Sequence, residues 1–259
     1  MYYNVEKCRN YLRHFILLKG VKMDNIIILI VGIISILLIY FALNINIKRI
    51  KQVKENERIK KFVDKFPEDE EICKSILQIL KNEKVKIEIN QNNKDCVYIA
   101  ISDKIILGNI KDVYTRIQTI AHECIHSVQD RKLLLFNFFY TNIYNFYFII
   151  SVILTIFGIF KNTTLQIVIL LFLGIIFYVV RSYLETDAMI RAEYLAEEYM
   201  IKYIEENKIC TNDEVQQISN EYENINKIGI PTYNLLLVLK TSLRVVLYTF
   251  LVIVLGFII

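Results

Sequence analysis

Residues 26–43 read IIILIVGIISILLIYFAL, a run of eighteen residues without a charge. Because an α-helix rises 1.5 Å per residue, such a run covers most of the roughly 30 Å of hydrocarbon in a bilayer. Three further apolar runs follow, at 143–160, 164–180 and 243–259. Only Lys161 to Thr163 separate the second run from the third, which predicts an antiparallel helical hairpin. The sequence therefore predicts a mainly α, polytopic helical membrane protein with about four spans.

The composition excludes several other classes of protein. The 259-residue chain is 54% hydrophobic and 22% charged, so its apolar residues are gathered in blocks. It contains no G-x-G-x-x-G, G-x-x-x-x-G-K-[ST] or G-x-S-x-G sequence, which argues against dinucleotide loops, nucleoside-triphosphate loops and a serine-hydrolase elbow. The five cysteines include no C-x-x-C pair, which favours reduced thiols over a disulfide framework.

Basic residues near the spans predict which side faces the cytoplasm. Seven lysines and arginines lie between residues 48 and 61, directly after the first span, and Arg131, Lys132 and Arg181 flank the hairpin. Cytoplasmic loops collect such residues, so the polar regions and the candidate site within them are expected on the cytoplasmic side of the cell membrane. The 48–61 run is interpreted as a topology determinant, and no nucleic-acid partner is expected.

Residues before the first span oppose this orientation. They include five basic residues, Lys7, Arg9, Arg13, Lys19 and Lys22. One hypothesis is that translation begins at Met23, since Lys19 to Lys22 can be encoded by a purine-rich sequence resembling a ribosome-binding site. The predicted organisation is an N-terminal segment at 1–24, span 1 at 25–44, a cytoplasmic α+β region at 45–132, the transmembrane hairpin at 133–180, cytoplasmic helices at 181–240 and span 4 at 241–259.

Local patterns predict the elements of the polar regions. A helix follows Pro67, two short strands at 85–89 and 96–101 are expected to pair, and a helix capped by Asn109 runs to residue 129. A further helix is predicted from Arg181 to about Glu206. The sequence Thr211-Asn212-Asp213-Glu214 is a capping box that opens a last polar helix, which Gly229 and Pro231 are expected to end.

The helix at 109–129 contains the sequence His122-Glu123-Cys124-Ile125-His126, an H-E-x-x-H pattern. Four residues advance a helix by about 400°, so both imidazoles project from one face and can share one zinc ion. Glu123 lies at the edge of that face, where it can accept a proton from a zinc-bound water and act as the general base. This spacing predicts a catalytic zinc centre in a chain that has only three histidines.

Two histidines leave such a zinc site one protein ligand short. Glu185 is the best candidate for the third, because the hairpin returns it to the edge where the His122 helix ends. An alternative is that Glu185 only complements the dipole at a helix start, and four other acids compete with it. The competitors are Asp187, Glu193, Glu197 and Glu198. Asp187 and Asp130 are instead predicted to accept hydrogen bonds from ligand imidazoles, with a solvated helix end as the alternative for Asp130.

Two stretches carry a resemblance to a known family. Residues Ile120 to Asp130, followed by two hydrophobic spans and then Leu184 to Ala192, resemble the YugP-type membrane neutral zinc metallopeptidases, a gluzincin-like group. The likeness covers nearly everything after Met23 and implies a small zincin-like α+β region on the cytoplasmic side. By this likeness His122, His126 and Glu185 are ligands of one Zn²⁺, and Glu123 is the catalytic glutamate.

The sequence thus predicts an endopeptidase that hydrolyses membrane or membrane-adjacent polypeptides, with the lipid bilayer as its other partner. The rival hypothesis is a membrane scaffold or adaptor with a structural zinc site. No donor for an oxyanion is evident, and Arg191 and Tyr194 are only candidates by position.

Overall fold

The computed structural model describes residues 23–54 and 56–258. The described residues form seven helices and three strands, which confirms a mainly helical chain with a small α+β part. The helices are α1 Met23–Lys54, α2 Glu57–Val63, α3 Asp69–Ile79, α4 Arg116–Val128, α5 Arg131–Ile156, α6 Thr163–Asn207 and α7 Asn212–Ile258, and the strands are β1 Lys86–Asn90, β2 Val97–Ile99 and β3 Lys104–Gly108. The N-terminal segment before Met23, and with it the proposed translation start, lies outside the described residues.

Four helices are long and apolar enough to cross a membrane, as the apolar runs predict. They are α1, α5, α6 and α7. The second run is part of a longer helix, because α5 already begins at Arg131 and ends at Ile156. The turn between α5 and α6 includes Gly158, whose φ of +68° lies in the left-handed region that favours glycine.

Two predicted helix ends are wrong. Helix α6 continues through Arg181, whose Nη2 lies 2.7 Å from the Glu185 Oε1 one turn later, an i,i+4 pair that supports a helix. Helix α7 continues through Gly229 and Pro231. Proline removes one backbone donor. The carbonyl of Lys227 thus lacks its usual helical donor, and one residue further along the Thr232 hydroxyl donates to the Ile228 carbonyl at 2.6 Å.

The described residues form two compact units. Unit 1 contains residues 23–42, Tyr140–Tyr178 and 235–258, and unit 2 contains Leu43–Phe139, except residue 55, and Val179–Asn234. Within unit 1, α1 approaches α7 closely at Gly32. A Cβ at this position would lie 2.4 Å from Val246 Cγ2, so a larger residue here would require the Val246 side chain to move.

The sheet of unit 2 is built around β3. Strand β1 pairs with β3 in parallel and β2 pairs with it in antiparallel orientation, in the order β1-β3-β2. The predicted pairing of 85–89 with 96–101 is therefore wrong, because a third strand lies between them. Strand β3 is selected by packing: Ile105 and Leu107 are fully buried in the core, whereas β1 is largely exposed.

Helix α4 carries the H-E-x-x-H pattern and begins later than predicted. It starts at Arg116, and Thr115, not Asn109, is its N-cap residue. The backbone N–H of Asn109 donates to the Asn93 carbonyl beside the sheet. Ile117, Ile120 and Cys124 on its apolar face are fully buried. The core of unit 2 thus fixes α4 along one face and leaves the opposite face available for the histidines.

Arg116 anchors the first turn of α4. Its side chain is 1% exposed, and its guanidinium donates to the carbonyls of Val63, Phe66 and Pro67 and to Asp69 Oδ1 at 2.8 to 3.1 Å. Three of these acceptors are backbone carbonyls at or just after the end of α2. The buried cation therefore joins α2, α3 and α4.

Replacing Arg116 with methionine is expected to lower the free energy of unfolding by about 3 to 5 kcal/mol, because Asp69 and the carbonyls lose a buried partner. Thermal unfolding followed by circular dichroism measures the effect, and the midpoint should fall by about 6 °C or more. Lys111→Met is the matched control, since its ion pair with Glu68 is exposed and contributes little to stability. Equal midpoints for the two variants would contradict the anchoring role of Arg116.

Candidate metal centre

His122 and His126 project from the same face of α4, one turn apart. Their Nε2 atoms lie 3.1 Å from each other, and their rings are nearly perpendicular, at 87°. The side chains are 17% and 10% exposed, so the pair is largely withdrawn from solvent. The helical spacing therefore brings two imidazole nitrogens to one point, as the sequence predicts.

Glu185 of α6 completes a group of three donors. Its Oε2 lies 3.4 Å from His122 Nε2 and 3.8 Å from His126 Nε2. No family model, curated protein or solved structure matches the chain. The centre is thus assigned by its own donor chemistry. At zinc–ligand distances of about 2.0 to 2.1 Å, donors on a tetrahedron are about 3.4 Å apart. The three separations scatter around that value, and the group can hold a metal ion.

The other acidic residues near the start of the second polar region are not in this group. Among the described residues, the cluster contains His122, His126 and Glu185, and it includes none of the four competing acids. The alternative that Glu185 complements a helix start does not apply, because residue 185 lies in the interior of the 45-residue helix α6. The helix start predicted at Arg181 does not exist, because α6 begins at Thr163.

Arg181 holds the second oxygen of the Glu185 carboxylate. The guanidinium Nη2 lies 2.7 Å from Oε1, and its Nε donates to the Tyr233 hydroxyl of α7 at 3.0 Å. Burial raises the pKa of Glu185, but the hydrogen bond with His122 and the charge of Arg181 outweigh it and lower the pKa to about 2. The carboxylate is therefore ionised at neutral pH, with one oxygen on Arg181 and the other towards the imidazoles.

The two imidazoles differ in their affinity for protons. Burial lowers the pKa of His122, but its hydrogen bond with Glu185 and the negative charges of Glu123 and Glu185 outweigh burial, so its pKa is raised. Burial and the neighbouring His122 charge lower the pKa of His126 to about 4. His126 is thus neutral at physiological pH, the state that a metal ligand requires.

Gln129 fixes the orientation of the His126 ring. His126 Nδ1 lies 2.8 Å from Gln129 Oε1, an acceptor, so Nδ1 carries the proton and Nε2 presents its lone pair. The Gln129 amide nitrogen in turn donates to Asp187 Oδ2 at 2.8 Å and to the Leu184 carbonyl at 2.9 Å. Asp187 thus supports the imidazole through Gln129 and not by direct contact. No pattern in the sequence predicts this role of Gln129.

Asp130 serves the start of the next helix. Its Oδ1 accepts the Lys132 amide at 2.8 Å, and the residue is exposed. This contact matches the helix-end alternative and not the predicted support of a ligand imidazole. The two candidates for the oxyanion donor lie on α6. Arg191 Nη1 is 3.4 Å from Asp187 Oδ2. Tyr194 is 65% exposed.

Glu123 is buried beside the three donors and is held by the sheet. Its Oε2 accepts the backbone N–H of Tyr98 on β2 at 2.6 Å, and the residue is 8% exposed. Burial raises the pKa of Glu123 to about 7, although the charge of His122 and the Tyr98 hydrogen bond oppose it. A carboxyl group with this pKa can both accept and return a proton near neutral pH. Sequence reasoning could not identify a backbone donor 25 residues away.

Replacing Gln129 with leucine is expected to weaken zinc binding about 10- to 100-fold, because His126 loses the acceptor that fixes its tautomer and ring orientation. Competition with a chromogenic zinc chelator on the purified, metal-free protein measures the dissociation constant. Gln216→Leu is the matched control, since Gln216 is exposed on α7 and donates a hydrogen bond to Asn220. An unchanged dissociation constant for Gln129→Leu would show that packing alone orients the ring.

Proposed function

We propose that the protein is a membrane-embedded, zinc-dependent endopeptidase that hydrolyses membrane or membrane-adjacent polypeptides. The observation that carries this proposal is the convergence of His122, His126 and Glu185 beside the buried carboxyl group of Glu123. Two histidines, one ligand glutamate and a separate proton-transfer group form the set that zinc peptidases use. The resemblance of 120–130 and 184–192 to YugP-type metallopeptidases points to the same reaction.

Each residue has a distinct role in this proposal. His122, His126 and Glu185 hold the metal, and Arg181 keeps the Glu185 carboxylate ionised and oriented. A bound zinc ion supplies Lewis acidity, which lowers the pKa of water and polarises a carbonyl group. Glu123 accepts the proton of the attacking water and returns it to the leaving amine. The Tyr98 amide occupies Glu123 Oε2, so Oε1 is the oxygen that exchanges this proton.

The number of donors favours an enzyme over a scaffold. Structural zinc sites fill all four positions with protein ligands, whereas catalytic sites use three and keep one position open. The cluster in the described part of the chain contains three donors. A scaffold would also have no use for Glu123, a buried carboxyl group with a pKa of about 7.

The substrate class follows from the four apolar helices. In a chain that spans the bilayer, Glu185 comes five residues after the apolar part of α6, at 164–180. The positive-inside pattern then predicts a centre on the cytoplasmic side of the cell membrane. Polypeptides that reach this centre are those in the membrane or next to it.

The glutamine variant of Glu123 should retain zinc and lose hydrolysis by at least about 10³-fold, because it keeps the ligand set and removes the proton carrier. Two probes are used, fluorescently labelled casein and a single-span polypeptide with an unfolded juxtamembrane segment in vesicles. His126→Ala and Glu185→Ala should lose both zinc and hydrolysis. Glu198→Gln, an exposed acid on α6, is the matched control and should retain both.

Two results would contradict the proposal. Full hydrolysis by Glu123→Gln would remove its role in proton transfer. Equal zinc content in the wild type, His126→Ala and Glu185→Ala would remove the metal centre itself. Cleavage of casein but not of the membrane probe would keep the peptidase and overturn the substrate class.

The orientation is tested by single cysteines introduced in a cysteine-free background. A cysteine at Lys161, between α5 and α6, should react with an impermeant maleimide added outside intact cells. A cysteine at Lys94, in the exposed loop before β2, should react only after the cells are opened. Labelling of both positions from the same side would contradict the four-span arrangement, and labelling of only Lys94 from outside would reverse its orientation.

A further inference from the structure

Arg244 places a cation inside an apolar helical segment. It lies in the part of α7 that belongs to unit 1, and its guanidinium carbon is 4.4 Å from the centroid of the Tyr144 ring and 5.9 Å from that of Phe177. Its side chain thus packs against residues of α5 and α6.

The partners of Arg244 among the described residues are all neutral. Its Nη2 donates to the Asn145 amide oxygen, and its Nη1 is buried without a hydrogen-bond partner. The fully buried Tyr144 side chain below the guanidinium offers this cation only a neutral ring and a neutral hydroxyl. A buried N–H group without an acceptor and an uncompensated charge therefore meet at one place, which lacks an anionic oxygen acceptor.

The described residues of unit 1 do not supply such an anion nearby. Their single acidic residue is Asp24, in the first turn of α1, and α5, the unit 1 part of α6 and that of α7 contain none. A cation in an apolar segment is costly without a counter-charge, and charged residues in membrane spans commonly mark sites of function. Among the described residues of unit 1, nothing near Arg244 therefore compensates its charge.

Lys240 provides a second cation next to Arg244. It precedes Arg244 by one helical turn, so the two residues share one face of α7 about 5 to 6 Å apart, and it is exposed. Leu243 and Leu247, next to this pair, are exposed at 44% and 50%. The surface thus combines two adjacent cations with an apolar strip, which is complementary to a phosphate group with acyl chains attached.

We propose that Lys240 and Arg244, supported by Asn145 and Tyr144, bind the phosphate of an anionic phospholipid. Tyr144 lies at the start of the apolar run 143–160 and Phe177 near the end of 164–180, so the site is at the predicted cytoplasmic leaflet. Basic pockets between helices on that side of a membrane bind anionic headgroups. The inference rests on the membrane location proposed above and does not depend on zinc or hydrolysis.

Native mass spectrometry of the full-length protein in detergent tests the site, with phosphatidylglycerol as the anionic probe and phosphatidylcholine as the zwitterionic one. Arg244→Gln and Lys240→Gln should each reduce bound phosphatidylglycerol by about fivefold, with little change in phosphatidylcholine. Lys240 is exposed, so its substitution leaves the packing around Tyr144 intact. Lys161→Gln is the matched control, a lysine beside a span at the opposite end of the hairpin, and should bind as the wild type does.

Several outcomes would overturn the lipid site. Wild-type binding of phosphatidylglycerol by both Arg244→Gln and Lys240→Gln would do so, as would an equal loss in Lys161→Gln. Displacement of phosphatidylglycerol by millimolar inorganic phosphate would assign the cations to a soluble phosphate instead. Zinc content is measured on the same samples and should be unchanged, so loss of the metal centre and loss of the lipid site are separate results.

Discussion

One oxygen of the Glu185 carboxylate contacts a guanidinium and the other faces two imidazoles. The candidate metal centre depends on this arrangement. Burying a carboxylate costs several kcal/mol unless another charge compensates it. Arg181 provides that charge at Oε1, 2.7 Å away, from the same helix. Oε2 is then left ionised towards His122 and His126, at 3.4 and 3.8 Å. Without the arginine, the carboxyl group would more readily hold a proton and make a poor ligand for a divalent ion.

The features that the sequence predicts correctly are those decided within one or two helical turns. The i,i+4 spacing of His122 and His126 fixes their common face whatever surrounds them. The capping box is equally local: the Thr211 amide donates to Glu214 Oε2 at 2.9 Å, and the Glu214 amide to Thr211 Oγ1 at 3.2 Å. The long apolar runs also predict the four long helices, since run length is a property of the sequence alone.

The features that it misses depend on partners far away in the chain. Strand β3 is central because its alternate residues, Ile105 and Leu107, pack into the core. No turn residue in the sequence predicts this central position. Gln129 carries no charge or metal-binding group, so only its position between His126 and Asp187 reveals its role. Local rules predict helix boundaries at Arg181 and Pro231, whereas both helices continue through these residues. Glu185 was correctly brought to the histidines although its helical setting was mistaken.

The contact that holds Glu123 comes from a peptide group and not from a side chain. Every amino acid except proline can supply the N–H at position 98, so substitutions there leave the carboxylate with its donor. The Tyr98 phenol itself points elsewhere and donates to Asp103 Oδ1 at 2.8 Å. The side-chain chemistry of β2 at this position is therefore separate from the contact that orients the Glu123 carboxylate.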